Sequence, residues 1–373
     1  MTRIGVDYTA AVAQSAGIGR YVRELFTAFH QLEHKHQLSF FAASAKPFRS
    51  DLLNVRRLPF HDKWLARAWH RFRLPIPVEL LTGRVDLFHS PDFTLPPTLK
   101  GTLTLLTVHD LSFVQIPESA DDQLREYLNR AVPHSVDRSD HILADSKSTR
   151  QDLIDLWGTL PEKVTVLYPG IDSHFQPVTD SDEQKRIRIK YKLDTHPFIL
   201  SIGTLQPRKN YKMLIRAFRQ LSTEFPELVL VIGGGPGWKY QDILLEPEVM
   251  GIKDKVRFIG FVADEDLPTL MSTCSIFAMP SLYEGFGLPV LEAMACGVPV
   301  ITSNISSLPE VAGDAAVTVH PHDQDQLAQA LYLMLSDQDR RHDAIRKGFK
   351  QASRFSWEQS ARQLLSIYNT MLS

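Results

Sequence analysis

Short apolar, β-rich runs recur along the first half of the chain, at Arg3 to Asp7, Gln37 to Ala42, Leu87 to His89, Thr104 to Val108, His141 to Ala144 and Val164 to Leu167. Between them lie stretches with helical periodicity, Arg20 to His30, Asp121 to Ser135 and Thr149 to Trp157. Strands alternating with helices make βα units and hence a mostly parallel, doubly wound sheet. A polar, charge-dense stretch then runs from Tyr168-Pro-Gly-Ile-Asp172 through Thr179-Asp-Ser-Asp-Glu-Gln-Lys-Arg, and apolar periodicity resumes at Phe198. Such a composition shift marks a linker, placed at 173–196 between domains at 1–172 and 197–354. The rhythm restarts with predicted strands at Phe198 to Ile202, Leu228 to Ile232, Val256 to Phe258, Ile276 to Ala278 and Val298 to Thr302, which gives a second doubly wound domain. Ligands of such sheets bind at the carboxyl ends of the strands, in a cleft.

The length of 373 residues suits two domains, and 43% apolar with 23% charged residues is the balance of a compact globular protein. A formal charge of -2 supplies no overall field for nucleic acid, so electrostatic recognition must be local. Cys274 and Cys296 lack metal-type spacing and read as buried thiols of a reducing cytoplasm. The start, Met1-Thr-Arg-Ile-Gly-Val-Asp7, reads as a strand rather than a secretory signal, and no apolar run approaches the ~20 residues that cross a bilayer.

The most informative segment is Pro280-Ser-Leu-Tyr-Glu-Gly-Phe-Gly-Leu-Pro-Val-Leu-Glu-Ala-Met-Ala-Cys-Gly297. A strand ends near Pro280, a glycine-bearing loop follows, Pro289 suits the first helical turn and Gly297 the position past the helix end. Backbone N–H groups at such a helix start suit a pyrophosphate. Glu284 in the loop and Glu292, expected on the first helical turn, would repel that anion unless they bind sugar hydroxyls, which carboxylates do well. A loop residue and a helix-dipole partner would also account for the pair. Earlier in the same half, at the end of the predicted strand Phe198 to Ile202, Ser201-Ile-Gly-Thr-Leu-Gln-Pro-Arg-Lys-Asn210 sets Arg208 and Lys209 before a helix, where they can stabilise a departing diphosphate or simply be solvated charge. In the first half, Gly17 and Gly19 permit a close backbone approach or a sharp turn, without completing a dinucleotide fingerprint because Val22 replaces the third glycine. His109 and Asp110 fall at a strand's carboxyl end.

Glu284 to Gly297 resembles the signature of glycosyltransferase family 4, a Glu, seven intervening residues and a second Glu within Glu-Gly-Phe-Gly-Leu-Pro-x-x-Glu-Ala-Met-Ala-x-Gly. The resemblance extends through Thr107-Val-His-Asp110, Ala144-Asp-Ser-Lys-Ser-Thr149, Val166 to Asp172, Val231 to Gly235, Phe258 to Val262 and Phe355-Ser-Trp357. It implies a GT-B architecture, two Rossmann-like domains facing a cleft, with residues 355–373 returning as a helix to the N-terminal domain. It further implies catalytic or leaving-group roles for His109, Glu284, Lys209 and Arg208, with Glu284 on the donor sugar, Glu292 on the ribose and His109 on the donor sugar or the acceptor near the reacting carbon. Gly17, Gly19, Gly203, Thr204, Val262, Gly285, Phe286, Gly287, Leu288 and Pro289 become donor-binding candidates, with Arg20, Gly260 and Glu310 in support. Gly203-Thr204 departs from the family's usual Gly-Arg pair.

The implied reaction is retaining transfer of a hexose from a nucleotide diphosphate sugar to a glycan or lipid-linked acceptor, with no required cofactor or metal. Gly-Ile-Gly-Arg-Tyr21 and Thr-Val-His-Asp-Leu-Ser-Phe113 look most like bacterial mannosyltransferases of surface polysaccharide synthesis, hence GDP-mannose first, with other UDP or GDP hexoses open. A GT-B epimerase or synthase and an idle nucleotide-sugar binder are the alternatives. Asp264-Glu-Asp266 has the look of an Asp-x-Asp metal pair but begins a helix, where an acidic cap suffices, and Gly233 to Gly237 lacks the Lys-Ser/Thr of a P-loop.

Residues 46–73 concentrate Lys46, Arg49, Arg56, Arg57, Lys63, Arg67, Arg71 and Arg73 against Asp51 and Asp62. As a helix, 63–73 would place Leu65, Trp69 and Phe72 on one face and Lys63, Arg67 and Arg71 on the other. Docking on an anionic membrane, at the inner face of the cell membrane, and an ordinary helix packing its aromatics inward explain this equally well.

Overall fold

A computed structural model describes residues 1–14, 17–48 and 54–373. The chain forms two compact units. The first comprises Met1–Gln115, Asp122–Gly170 and Phe355–Ser373; the second comprises Ile116–Asp121 and Ile171–Arg354.

Among the described residues the first unit carries a parallel sheet of β1 (Arg3–Asp7), β2 (Gln37–Ala43), β3 (Val55–Leu58), β4 (Leu87–Ser90), β5 (Leu103–Val108), β6 (His141–Ala144) and β7 (Val164–Val166). Its order is β3-β2-β1-β4-β5-β6-β7. Both faces are buried, so neighbouring residues of one strand enter opposite cores: Leu105 packs with Ile4, Val6 and Leu143, while Leu106 packs with Phe88, Val108 and Ile142. The terminal helix Trp357–Met371 belongs to this unit and lays Trp357, Ala361, Leu364 and Tyr368 against Leu25, Phe26 and Phe29 of helix Ile18–His30. Its entry needs Gly170, because a Cβ there would lie 2.0 Å from the Trp357 nitrogen.

The second unit holds β8 (Phe198–Ile202), β9 (Val229–Gly233), β10 (Val256–Gly260), β11 (Ile276–Met279), β12 (Val300–Ser303) and β13 (Ala316–Val319), all parallel, in the order β10-β9-β8-β11-β12-β13. In helix Tyr211–Leu221 the buried positions Tyr211, Leu214, Ile215, Phe218 and Leu221 recur at helical spacing and face this core. Each unit is therefore a doubly wound Rossmann-like sheet whose strand order reverses at one point, between β1 and β4 and between β8 and β11.

Two strands escape the sequence pattern, and both are sheet edges. In β3, Val-Arg-Arg-Leu exposes its two arginines, and β13 is mostly half-buried, so neither shows a continuous apolar run. The stretch 173–196, read as linker, contains helix Ser181–Lys190, capped by Asp180, whose carboxylate accepts the Asp182 N–H at 2.8 Å. Only Ile187 of that helix is buried. Charge anchors it instead: the fully buried Asp266 carboxylate accepts hydrogen bonds from Arg186 at 2.8 Å, Lys190 at 2.5 Å and the Tyr191 hydroxyl at 2.6 Å.

Candidate active site

In the second unit the chemistry-bearing loops follow β8 and β11, the neighbours at which strand order reverses. After β11 the chain runs through Ser281 to Gly287 into helix Leu288–Ala295, with Gly287 at φ 107 as its N-cap. Three hydroxyls at and just beyond the end of β12 fix this loop. Ser303 donates to the Ser281 carbonyl at 2.7 Å, Ser306 accepts the Glu284 N–H at 3.0 Å, and Ser307 donates to the Glu284 and Phe286 carbonyls at 2.9 and 2.7 Å. Glu284 is thereby held at 6% exposure.

Its two oxygens are divided between two cations: Arg208 Nη1 donates to one at 2.8 Å and Lys209 Nζ to the other at 2.7 Å. The same Arg208 nitrogen donates to the Tyr283 carbonyl at 2.6 Å, and Leu282 N–H to the Arg208 carbonyl at 2.8 Å, so the two loops are laced together. Burial alone would raise the Glu284 carboxyl; the adjacent Arg208 and Lys209 charges outweigh it and hold it down to about 2. One buried carboxylate facing two cations gathers positive groups beside a helix start, an arrangement that can receive a diphosphate.

Gly203 and Thr204 lead into this cluster. The Tyr211 hydroxyl donates to the Gly203 carbonyl at 2.7 Å. The Gly233-Gly-Gly-Pro-Gly237 run zips against the same loop, with Leu205 N–H on the Gly235 carbonyl at 2.9 Å and Gly237 N–H on the Leu205 carbonyl at 3.0 Å. A Cβ on Gly234 would lie 1.9 Å from the Gly203 oxygen, so this glycine serves backbone crossing. Thr204 is exposed, Val262 is buried after β10, Gly285, Phe286 and Gly287 are buried, and Leu288 and Pro289 are half-buried. Glu310 lies in the first turn of helix Leu308–Ala312, directly after Ser306 and Ser307.

In the first unit, His109 ends the run after β5 and is buried. Its Nδ1 lies 2.8 Å from Asp145 Oδ2, in the segment following the neighbouring strand β6, and its Nε2 lies 3.2 Å from the Pro91 carbonyl oxygen. The Tyr21 ring meets the imidazole edge-on at 4.9 Å, bringing helix Ile18–His30 to this point. Gly17 precedes that helix at φ 59, and Gly19 packs so tightly on its own chain that a Cβ would lie 2.0 Å from the Gln14 carbonyl oxygen. Gly19, the second residue of the helix, thus serves close packing of the helix start on the preceding segment rather than a turn; Ser15 and Ala16 of that loop lie outside the described residues. Arg20 is buried in the helix's first turn.

Comparison with known proteins carries the assignment further. The model for glycosyl transferases group 1 matches residues 183–351, and that for glycosyltransferase family 4 matches residues 15–175. O-antigen chain mannosyltransferase B of Escherichia coli is 35% identical over 290 residues, 76% of this chain and 74% of that protein. The chain belongs to the family 4 glycosyltransferases.

A second relative of this glycosyltransferase, the serotype-specific mannosyltransferase WbdA of Escherichia coli, is 32% identical over 294 residues; the match takes in 76% of the chain and 36% of WbdA. Anabaena HepE, solved with UDP and glucose, superposes with a TM-score of 0.75 at 17% identity, covering 99% of this chain and 100% of that one. The fold is GT-B.

Several sequence expectations for this glycosyltransferase need correction. Glu292 is buried but lies in the second turn of its helix, because the helix starts at Leu288. Asp266 caps nothing with its side chain; it binds Arg186, Lys190 and Tyr191, and these donors hold its carboxyl below the ordinary range against the push of burial. Within 46–73, Asp62–Ala66 is α-helical but Arg67–Arg71 is a π-turn, closed by Phe72 N–H on the Arg67 carbonyl at 2.9 Å. The wider turn breaks the expected face. Trp69 turns into the core and donates from Nε1 to the Ile76 carbonyl at 2.9 Å, whereas Phe72 is 65% exposed and Trp64 64% exposed. Arg49 and Asp51 of that segment lie outside the described residues.

Sequence reasoning missed Ser306, Ser307, Tyr211 and Asp145. Asp145 carried a signal, an acid immediately after a predicted strand, but its pairing with His109, 36 residues earlier, depends on β5 and β6 being neighbours. The serines carried none, being ordinary loop residues until the fold sets them under Glu284.

Proposed function

We propose that this enzyme is a retaining hexosyltransferase that moves mannose from GDP-mannose to a glycan or lipid-linked acceptor. The observation that carries the reading is the buried Glu284 shared by Arg208 and Lys209 beside a helix start. In the proposed reaction the bond between the anomeric carbon and the diphosphate oxygen breaks as the acceptor oxygen bonds to the same face. The acceptor proton passes to the departing diphosphate. Lys209 and Arg208 take up the charge developing on that diphosphate, Glu284 orients sugar hydroxyls, Glu292 the ribose, and His109 an oxygen of the donor. Because two side-chain cations supply the countercharge, the proposed reaction proceeds without a metal.

Mannose is supported by the names of the relatives at 32% and 35% identity. The UDP and glucose held by Anabaena HepE make UDP-glucose the second donor to test. We further place the enzyme on the inner face of the cell membrane, an assignment supported by exposed Trp64 and Phe72 interspersed with exposed Lys63, Arg67, Arg71 and Arg73.

The test is release of nucleoside diphosphate from a panel of sugar nucleotides, with and without lipid or glycan acceptor and with EDTA. Acceptor-stimulated release from GDP-mannose, insensitive to EDTA and lost in Glu284→Ala and Lys209→Ala, is expected. Selective turnover of a UDP sugar would overturn the donor assignment, and binding without release would overturn the transferase mechanism. Sugar isomerisation without an acceptor would point to an epimerase.

A further inference from the structure

The two ring nitrogens of His109 face two acceptors, a carboxylate oxygen of Asp145 at 2.8 Å and the Pro91 carbonyl oxygen at 3.2 Å. A carbonyl oxygen cannot donate, so Nε2 carries a proton. The Nδ1 contact needs one more, held either by the ring or by the carboxyl. Imidazole is the stronger base by about 2.5 units in ordinary surroundings, so the proton belongs to the ring. Burial works the other way, raising the Asp145 carboxyl, whose Oδ1 is buried without a hydrogen-bond partner; the His109 charge and hydrogen bond oppose that push.

We propose that Asp145 is a positioning residue which, with the Pro91 carbonyl, fixes His109 as an imidazolium whose Nε2–H is the group offered to a donor oxygen. The inference rests on the placement of His109 at the donor in the function proposed above. Of the two contacts, that to Pro91 is the longer and is the one a ligand oxygen replaces, while Asp145 keeps the ring charged and oriented. His109 thus serves as a charge-assisted hydrogen-bond donor and has no lone pair with which to act as a general base.

The other groups facing the ring agree. Tyr21 and Phe93 pack edge-on at 4.9 and 5.5 Å and exclude water, Asp92 adds a second negative charge, and the fully buried His89 on β4 is kept neutral, pushed down to about 3 by burial and then by His109. Asp110 adjoins the pair and disfavours a second anion at Asp145 unless the ring is charged. Burial opposes the cation, but the Asp145 charge and hydrogen bond, then Asp92, raise His109 to about 9.

The experiment is side-chain ¹⁵N NMR of the histidine-labelled full chain from pH 6 to 10, with His109→Gln for assignment, combined with kcat/KM for the donor over the same range. Both His109 nitrogens should report as protonated through pH 8. In Asp145→Asn the ring should return towards the ordinary histidine range near 6.5, so kcat/KM stays close to wild type at pH 6 and falls by about thirty-fold at pH 8, with Asp145→Glu restoring part of it. A wild-type ring with an acceptor Nδ1 at pH 7 would overturn the proposal, and this titration decides the matter even if Asp145→Asn does not fold. An Asp145→Asn loss equal at pH 6 and pH 8 would also overturn it, as a merely structural effect. Absence of turnover by wild type with every donor would instead refute the proposed function, leaving the NMR result to decide the charge state.

Discussion

In the first unit one carboxylate, Asp145, meets one ring, His109; in the second one carboxylate, Glu284, meets two cations, Arg208 and Lys209. Both carboxylates are buried, yet the first meets a single ring and the second is shared by two cations. Burying charge costs several kcal/mol per ion, so neither cluster is there to stabilise the fold cheaply. In the proposed reaction the single ring orients a neutral sugar and the two cations attract the diphosphate.

Their pH signatures run in opposite directions. His109 is raised from 6.5 to about 9, so its contribution to stability is complete below 6.5 and is lost as pH rises through about 9. Glu284 is lowered from 4.5 to about 2, so its contribution is complete above 4.5 and is lost as pH falls through about 2.

The sharpest way to break this comparison is Glu284→Gln, which removes the buried anion that the half-buried Arg208 and Lys209 share and should cost about 3–5 kcal/mol in denaturant unfolding at pH 7. That penalty should shrink on acidification, whereas the penalty of His109→Gln should shrink as pH rises past about 9; parallel profiles would abolish the contrast. Next, Lys209→Ala should lower kcat by about 10²–10³, with Lys209→Arg recovering only part because a planar fork replaces a point charge. Equal kcat in Lys209→Ala and wild type would remove the leaving-group role. Ser307→Ala deprives two carbonyls around Glu284 of their donor and should cost about 1–3 kcal/mol, with a raised KM for the donor. Tyr211→Phe, which loses one bond to Gly203, should cost about 1 kcal/mol by thermal unfolding. The smallest effect is expected from Trp64→Ala, silent on turnover of a soluble acceptor but weakening sedimentation with anionic vesicles.

Much of this was legible along the chain. Glu284, Gly287 and Pro289 announce a strand, loop and helix start through residue type and spacing alone, and the structure has that order. Arg208 and Lys209 were readable as cations before a helix, but their convergence on a single carboxylate 76 and 75 residues away in sequence was not. Residues 67–72 misled because a 3.6-residue period was assumed where the backbone makes a wider turn, which rotated Phe72 outward. The helix Ser181–Lys190 was hidden because its anchorage is ionic, through Asp266, and leaves no apolar stripe.

The sequence by itself determined two doubly wound halves and the loops that bear chemistry, because local periodicity, glycine placement and helix-start residues act over a few positions. The tertiary structure decided which charges share a partner. Only the adjacency of β5 with β6 sets Asp145 under His109, and only the adjacency of β8 with β11 brings Arg208 and Lys209 to Glu284. Electrostatic interaction depends on distance in space and on burial, and neither is encoded at any one position of the chain.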